Sequence, residues 1–144
     1  KYIGQFFIGM KEKMYSSENY PEFALENSKT GILKVQVSGA NQAFPLSDVE
    51  VEIWKEINGD KVVFFKGTTD NSGIIDNIIL PAKPSKKDVE EASDIIYTSY
   101  ILTITYPKNN VTKSYEIGIF DDLKVIQPIR ISTMSTEMGG IDNV

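Results

Sequence analysis

Apolar and polar residues alternate along the chain between residues 31 and 132, as they do in β-strands that bury one face. In the first such stretch Leu33, Val35 and Val37 are apolar, and the residues between them are polar. A second stretch, at 49–53, repeats the alternation with Val49, Val51 and Ile53. This pattern predicts that the odd positions of both stretches share one apolar layer while the even positions face water.

Short turns separate these stretches. Asn58-Gly59 is typical of a hairpin turn. A second turn is predicted at Asp70-Asn71-Ser72-Gly73, because Asp, Asn and Ser side chains form hydrogen bonds with the local backbone and glycine tolerates a positive φ. The later strands are predicted over 74–80, 97–106, 111–120 and 124–132. Seven strands joined by turns predict an all-β fold, an antiparallel β-sandwich of Ig-like or prealbumin-like proportions.

The first 29 residues follow a different period. Apolar residues recur there at spacings of three and four, which predicts an amphipathic helix that ends by Ser16-Ser17. These residues are Tyr2, Ile3, Phe6, Phe7, Met10 and Met14. We therefore divide the chain into an N-terminal helical segment (1–29), the sandwich (30–133) and a flexible tail (134–144). The helix is expected to pack on the sandwich or on a neighbouring domain, since its polar side has little positive charge to attract a membrane surface.

An aromatic pair is predicted on the sheet face opposite the core. A loop over 58–60 would pair Ile53 with Phe65 and Trp54 with Phe64, so that Trp54 and Phe64 share the outer face. Exposed aromatic residues of this kind mark interaction surfaces, unless the N-terminal segment covers them. The predicted binding residues are Trp54, Phe64, Phe6 and Phe7.

Composition narrows the classes of function. The chain has 144 residues, a net charge of −5, and neither cysteine nor histidine. The negative charge argues against nucleic acid, which binds basic surfaces. The missing residue types exclude disulfides, cysteine nucleophiles, histidine triads and zinc sites built on either residue. No apolar run reaches the length of a membrane span. We expect no cofactor, no metal and no enzymatic activity.

Two groups of acidic residues are candidates for a calcium site and for a glycosidase active site. Asp70 and Asp76 offer oxygen ligands of the kind that Ca²⁺ binds, but they lack the EF-hand spacing, so a turn is the better interpretation. Asp121, Asp122 and the acidic stretch 88–94 contain paired carboxylates, as glycosidases do. They lie in polar turns close to lysines, which favours solvated charge over a desolvated general acid.

A covalent cross-link between a core lysine and a core Asn or Asp was also considered, because adhesin domains of this general topology form one under a buried Glu. The candidates Lys34, Glu50 and Glu52 all occupy the polar phase of their strands. Burying them would expose the apolar residues between them, at about 1.5–3 kcal/mol for each large side chain. The alternation therefore argues against the cross-link.

Several motifs together resemble the carboxypeptidase regulatory-like, or transthyretin-like (prealbumin-like), family of β-sandwich domains. The matching segments are 31–37, 45–53, 69–73, 80–82, 100–104, 119–121 and 127–128. The Ile-Phe-Asp and Gln-Pro segments that close this series are similar to the version found beside spore cortex-lytic enzymes. One turn departs from the family: Tyr106-Pro107-Lys108-Asn109 stands where a Pro-Gly-Tyr-like turn is usual.

The resemblance implies an accessory domain that spaces or docks a neighbour. Transthyretin-like hydrolases of purine breakdown share the architecture but depend on histidines, which this chain lacks. We therefore predict a non-catalytic interaction or spacer module of a larger, cell-envelope- or spore-associated bacterial protein, with a protein partner or neighbouring domain. The alternative is a carbohydrate-binding module that stacks a cell-wall glycan on Trp54, Phe64 and nearby tyrosines.

Overall fold

A computed structural model describes residues 10–41, 44–85 and 95–132. These residues form eight strands and one short helix. The elements are β1 (Glu12–Met14), α1 (Pro21–Glu26), β2 (Lys29–Gly39), β3 (Glu50–Ile57), β4 (Asp60–Thr68), β5 (Ile74–Ala82), β6 (Thr98–Tyr106), β7 (Val111–Ile119) and β8 (Lys124–Ile131).

The strands form two sheets that pack face to face. The larger sheet has the order β1-β4-β3-β6-β7, and the smaller one has the order β5-β2-β8. The predicted all-β sandwich is therefore confirmed. Two pairs are parallel rather than antiparallel, β1 with β4 and β2 with β8. The second arises because the chain crosses from the larger to the smaller sheet after β7 and enters beside β2 in the same direction.

The predicted apolar layer lies between the sheets. Each of its six residues is at most 2% exposed: Leu33, Val35, Val37, Val49, Val51 and Ile53. Alternate residues of β6 complete the layer, among them Tyr100, Leu102 and Ile104. Each large side chain buried in this way stabilises the fold by about 1.5–3 kcal/mol, so the two-residue period accounts for most of the core.

The N-terminal segment differs from the prediction. Residues 12–14, predicted as helix, form β1, and the remainder of the predicted helix over 1–9 lies outside the described residues. The physical reason is the open edge of β4: the Lys61 N–H donates to the Lys11 carbonyl (2.8 Å) and the Tyr15 N–H donates to the Val63 carbonyl (2.9 Å). Unpaired edge groups favour a strand over a marginal helix.

The one helix in the described part of the N-terminal segment is α1. Its first residue is Pro21, whose fixed φ suits the first helical position. The N–H that proline lacks is not lost to the helix, because a backbone N–H at this position has no acceptor within the helix. Phe23 is its buried residue and joins the core. No helix in the described ranges is long and apolar enough to cross a membrane. The boundaries at 29, 133 and 134 stay predictions.

The β3–β4 hairpin decides where the aromatic residues point. Ile53 pairs with Phe65 as predicted, but Trp54 pairs with Val63, and a bulge lies between Ile53 and Trp54. The turn has two residues, Asn58 (φ 54°) and Gly59 (φ 84°), rather than three. The shorter turn shifts the register by one residue, and the bulge at Phe64 restores it.

Candidate functional site

Trp54 lies on the outer face of the larger sheet but is only 4% exposed. Its indole N–H donates to the Thr103 hydroxyl (3.0 Å), and the Lys61 ammonium lies over the ring, 5.0 Å from its centroid. The hydrogen bond and the cation–π contact hold the ring flat against the sheet. Trp54 therefore offers little free ring surface for a sugar to stack on.

Phe64 lies on the opposite, inner side of the same sheet. Its ring stacks on Tyr15 (4.4 Å between centroids) and meets Phe23 (5.5 Å) and Tyr100 (4.9 Å, edge to face). The predicted outer-face pair of Trp54 and Phe64 is thus wrong, because the two-residue turn pairs Trp54 with Val63 and leaves Phe64 on the inner side. The other two predicted binding residues, Phe6 and Phe7, lie outside the described residues, and their role stays a prediction.

Two carboxylates and two lysines form an ion-pair network that includes Lys61, the cation over Trp54. Lys61 lies 3.0 Å from the Glu52 carboxylate, and Lys66 lies 2.9 Å from that of Glu12. The hydrogen bond from Lys66 lowers the pKa of Glu12, and the same bond raises the pKa of Lys66. The network joins β1 to β3 and β4. Its partners are matched in charge, which favours a structural role over ligand binding.

Beside this network, the outer face carries hydroxyl groups. Thr103 is hydrogen-bonded to Ser114 (2.9 Å) and Thr105 to Thr112 (3.4 Å). A shallow depression of about 410 Å³ is lined by Thr103, Thr105, Glu50 and Glu52 among others. The groups described on this face are mainly charged and hydroxyl-bearing.

The outer face of the smaller sheet is different in character. Ile79 and Ile126 are 63% and 53% exposed there, and Ile32 lies between them on the central strand, in register with Ile79. Lys34 pairs with Ile126 across β2 and β8, and Lys124 pairs with Ile32. An exposed apolar patch rimmed by polar residues is a sign of an interaction surface. We call these residues, with Arg130 at the end of β8, the isoleucine face.

The sequence analysis missed the isoleucine face. The sequence contains two signs of it. Ile78, Ile79 and Leu80 are consecutive apolar residues, so both faces of β5 carry an apolar side chain there. Ile126 stands at a position of β8 where the alternation calls for a polar residue. A break in alternation on an outward position is a local sign of an exposed apolar residue.

A cleft opens between α1, β3 and the start of β6. It measures about 630 Å³, and Lys55, Lys83 and Tyr97 are among its lining residues. The Lys55 ammonium donates to the Ser99 carbonyl (2.8 Å). Burial, followed by the nearby charge of Lys83, lowers the pKa of Lys55, and Glu116 opposes this shift.

The acidic residues considered for calcium lie in a turn and an ion pair. The Asp70 carboxylate accepts hydrogen bonds from the Ser72 and Ile74 N–H groups (2.9 and 3.0 Å), which is an Asx turn. Asp76 pairs with Lys124 at 3.1 Å. Within the described ranges no three acidic residues are grouped as metal ligands would be.

Asp121, one of the acidic residues considered for glycoside hydrolysis, accepts hydrogen bonds from the backbone N–H and the hydroxyl of Ser85 (3.0 and 3.2 Å). This contact ties the end of β5 to the crossing between the sheets. The stretch 88–94 lies outside the described residues.

No family model and no curated protein matches the chain. Solved structures of similar fold include 5-hydroxyisourate hydrolase of Klebsiella pneumoniae, with a TM-score of 0.49, 14% identity, and 73% of this chain and 92% of that one covered. The chain is also similar to transthyretin from Sparus aurata (TM-score 0.42, 15% identity, 61% and 75% covered). A third is (S)-allantoin synthase (TM-score 0.48, 12% identity, 76% and 43% covered).

The likeness to these three structures is one of fold, with each TM-score below 0.5. These matches agree in fold with the transthyretin-like resemblance inferred from the motifs, and its narrower form, the module beside spore cortex-lytic enzymes, stays a prediction. The prediction that the chain is not an enzyme is contradicted, because two of these three structures are enzymes, a hydrolase and a synthase. The missing histidine and cysteine exclude particular reactions and not enzymatic activity as such.

Proposed function

We propose that the chain is a docking module that binds a folded protein surface, on a partner or on another domain of its own polypeptide, through the isoleucine face. The observation that carries the proposal is the exposure of Ile79 (63%) and Ile126 (53%) on one outward sheet face. Each side chain would release about 1–2 kcal/mol if a partner covered it. The outer face of the other sheet offers mainly charges and hydroxyl groups.

Charge indicates the chemistry of the partner surface. The chain carries a net charge of −5, yet the isoleucine face presents Lys34, Lys124 and Arg130 against the single carboxylate of Asp76 among the described residues of these strands. Complementary charge sets orientation and speeds encounter more than it raises affinity. We infer that the partner surface has an apolar centre and an acidic rim.

The wider setting of the module rests on the sequence resemblance. That resemblance favours a larger bacterial protein of the cell envelope or spore, in which this sandwich would hold a neighbour in place.

Photo-cross-linking in the producing cell tests the proposal. A photoreactive amino acid replaces Ile79 in one variant and Thr105, on the outer face of the larger sheet, in a matched control. We expect Ile79 to give one defined cross-linked product whose contact peptide is apolar and acidic, and Thr105 to give none. Equal products from both positions, or a basic contact peptide, would contradict the proposal.

Reversing the charge of the rim gives a second arm. Lys34→Glu with Arg130→Glu should reduce the yield of the Ile79 cross-link by about tenfold, because both changes place like charges against the partner's rim. The same number of changes on the control face, Thr105→Glu with Thr112→Glu, should leave the yield unchanged. A yield insensitive to the rim charges would remove the acidic partner from the proposal.

A further inference from the structure

The cleft beside α1 combines a half-buried cation with an exposed apolar rim. Lys55 projects from β3 into the cleft, and Lys83 follows the end of β5. Ile95 and Tyr97, just before β6, are 75% and 43% exposed. The Tyr97 ring is held in place by Phe120, with 5.6 Å between the ring centroids.

The ammonium of Lys55 has unused hydrogen-bonding capacity. It carries three N–H donors. One donates to the Ser99 carbonyl (2.8 Å) and a second to the Ser99 hydroxyl (3.4 Å), while the nitrogen lies 5.8 Å from the centroid of the Tyr100 ring, so one N–H is left without a hydrogen-bond acceptor among the described residues. Within the described ranges neither Lys55 nor Lys83 lies within 4.0 Å of a carboxylate, in contrast to Lys13, Lys61, Lys66 and Lys124.

One cation, Lys83, and two acids, Glu26 and Glu116, lie near Lys55. Lys83 lowers the pKa of Lys55 and Glu116 raises it, while Glu26 lines the same cleft without an ion pair to either lysine. Removing part of the hydration shell of a cation that faces a second cation is unfavourable. An anion between the two ammonium groups would offset both the lost hydration of Lys55 and its repulsion from Lys83.

We propose that this cleft binds an organic carboxylate, with the carboxylate between the ammonium groups of Lys55 and Lys83 and the apolar body of the ligand against Ile95 and Tyr97. The class of ligand follows from the two halves of the site. A charge-assisted hydrogen bond suits a carboxylate at Lys55, and the exposed Ile95 and Tyr97 side chains suit a hydrocarbon or aromatic body, which an inorganic anion lacks. The site is separate from the isoleucine face, so it stands independently of the proposed docking function.

The test uses hydrocinnamate as the probe, with the neutral hydrocinnamide and inorganic phosphate as comparisons. Calorimetry on the whole chain should show saturable binding of hydrocinnamate, with hydrocinnamide and phosphate each at least about tenfold weaker. In protein labelled with carbon-13 at the lysine ε-carbons, the pKa of Lys55 should rise when hydrocinnamate saturates the site, since an opposite charge favours the ammonium form.

Single substitutions identify the residues. Lys55→Met and Lys83→Met should each weaken binding of hydrocinnamate by about tenfold or more, and Lys108→Met, in the exposed turn after β6, should leave it unchanged. A denaturation midpoint equal to that of the wild type shows that each variant is folded. If Lys55→Met fails to fold, Lys83→Met and the effect of hydrocinnamate on the Lys55 pKa decide.

Three results would overturn the proposal. The first is equal binding of hydrocinnamate and hydrocinnamide, and the second is binding that neither lysine substitution weakens. The third concerns the chain's own acids: if the combined variant Asp88→Asn, Glu90→Gln, Glu91→Gln lowers the pKa of Lys55 in the free protein, these acids serve as its counter-ions and the site is not open to a ligand.

Discussion

At the scale of single residues, a few positions are fixed by backbone geometry that only glycine adopts cheaply. Gly73 has a φ of +74° and closes the turn before β5, where a Cβ atom would lie 2.4 Å from the Val37 carbonyl oxygen. Gly59 has a φ of +84°, yet a Cβ atom there would meet no atom within 4 Å. Comparing the two positions distinguishes the free-energy cost of a positive φ from the additional cost of a steric clash.

Alanine substitutions measure these two costs. Gly59→Ala should lower the free energy of unfolding by about 1 kcal/mol, the strain of a left-handed conformation alone. Gly73→Ala should cost about 2–4 kcal/mol, because the carbonyl of β2 has to move as well. Urea denaturation of the two variants compares them directly. Equal losses would show that no close approach constrains Gly73.

At the scale of elements, the N-terminal segment is part of the sandwich. β1 extends the larger sheet, and Tyr15, Tyr20 and Phe23 join the core or pack against it. The Tyr20 hydroxyl donates to the Asp60 carboxylate (3.0 Å), which ties this segment to the start of β4. The segment therefore covers Phe64 and Tyr100 from the side.

Removing residues 1–27 should expose this aromatic cluster. We expect the truncated chain to unfold at a lower urea concentration, to bind more of an apolar dye, and to self-associate in analytical ultracentrifugation. A milder control is Leu25→Ala, which truncates a side chain of α1 that is 78% exposed and should change none of the three. A truncated chain that stays monomeric and equally stable would contradict the packing of Phe64 under Tyr15 and Phe23.

β1 is also held by charge, so its attachment depends on pH. The pKa of Glu12 is lowered from 4.5 by the hydrogen bond from Lys66, so this contact stabilises β1 at pH values above 4.5 and is lost as the pH falls through the lowered value. Hydrogen exchange at the Tyr15 and Lys61 amides should therefore speed up, beyond its intrinsic pH dependence, as the pH falls below 4.5. In Glu12→Gln this additional acceleration should be absent. Its persistence in that variant would assign the pH dependence to other groups.

At the scale of the whole molecule, the sequence predicted the core better than the surface. Alternation can be read within a single strand, so the buried positions of Leu33, Val35 and Ile53 were predicted correctly without knowing which strands pair with them. β1 was misassigned because its strand conformation depends on the open edge of β4, far along the chain. Phe64 was misplaced because one residue of turn length decides the register of a hairpin. The isoleucine face depends on which strands share the smaller sheet, and periodicity does not carry that information.

The outer faces of the two sheets differ in chemical character. The larger sheet covers its outer face with paired charges and hydroxyl groups, while the smaller sheet leaves Ile79 and Ile126 exposed beside Lys34, Lys124 and Arg130. The docking proposal depends on this asymmetry. The contrast also supplies a matched control, because equivalent substitutions are available on both outer faces.

The most direct test is the affinity of the cross-linked partner, purified, for three forms of this chain. Ile79→Lys should weaken binding by about tenfold or more, since it replaces a buried apolar contact with a desolvated charge. Thr105→Lys, on the outer face of the larger sheet, should leave the affinity within about twofold of the wild type, with both variants unfolding at the wild-type urea midpoint. Unchanged affinity in Ile79→Lys, or an equal loss in Thr105→Lys, would contradict docking through the isoleucine face.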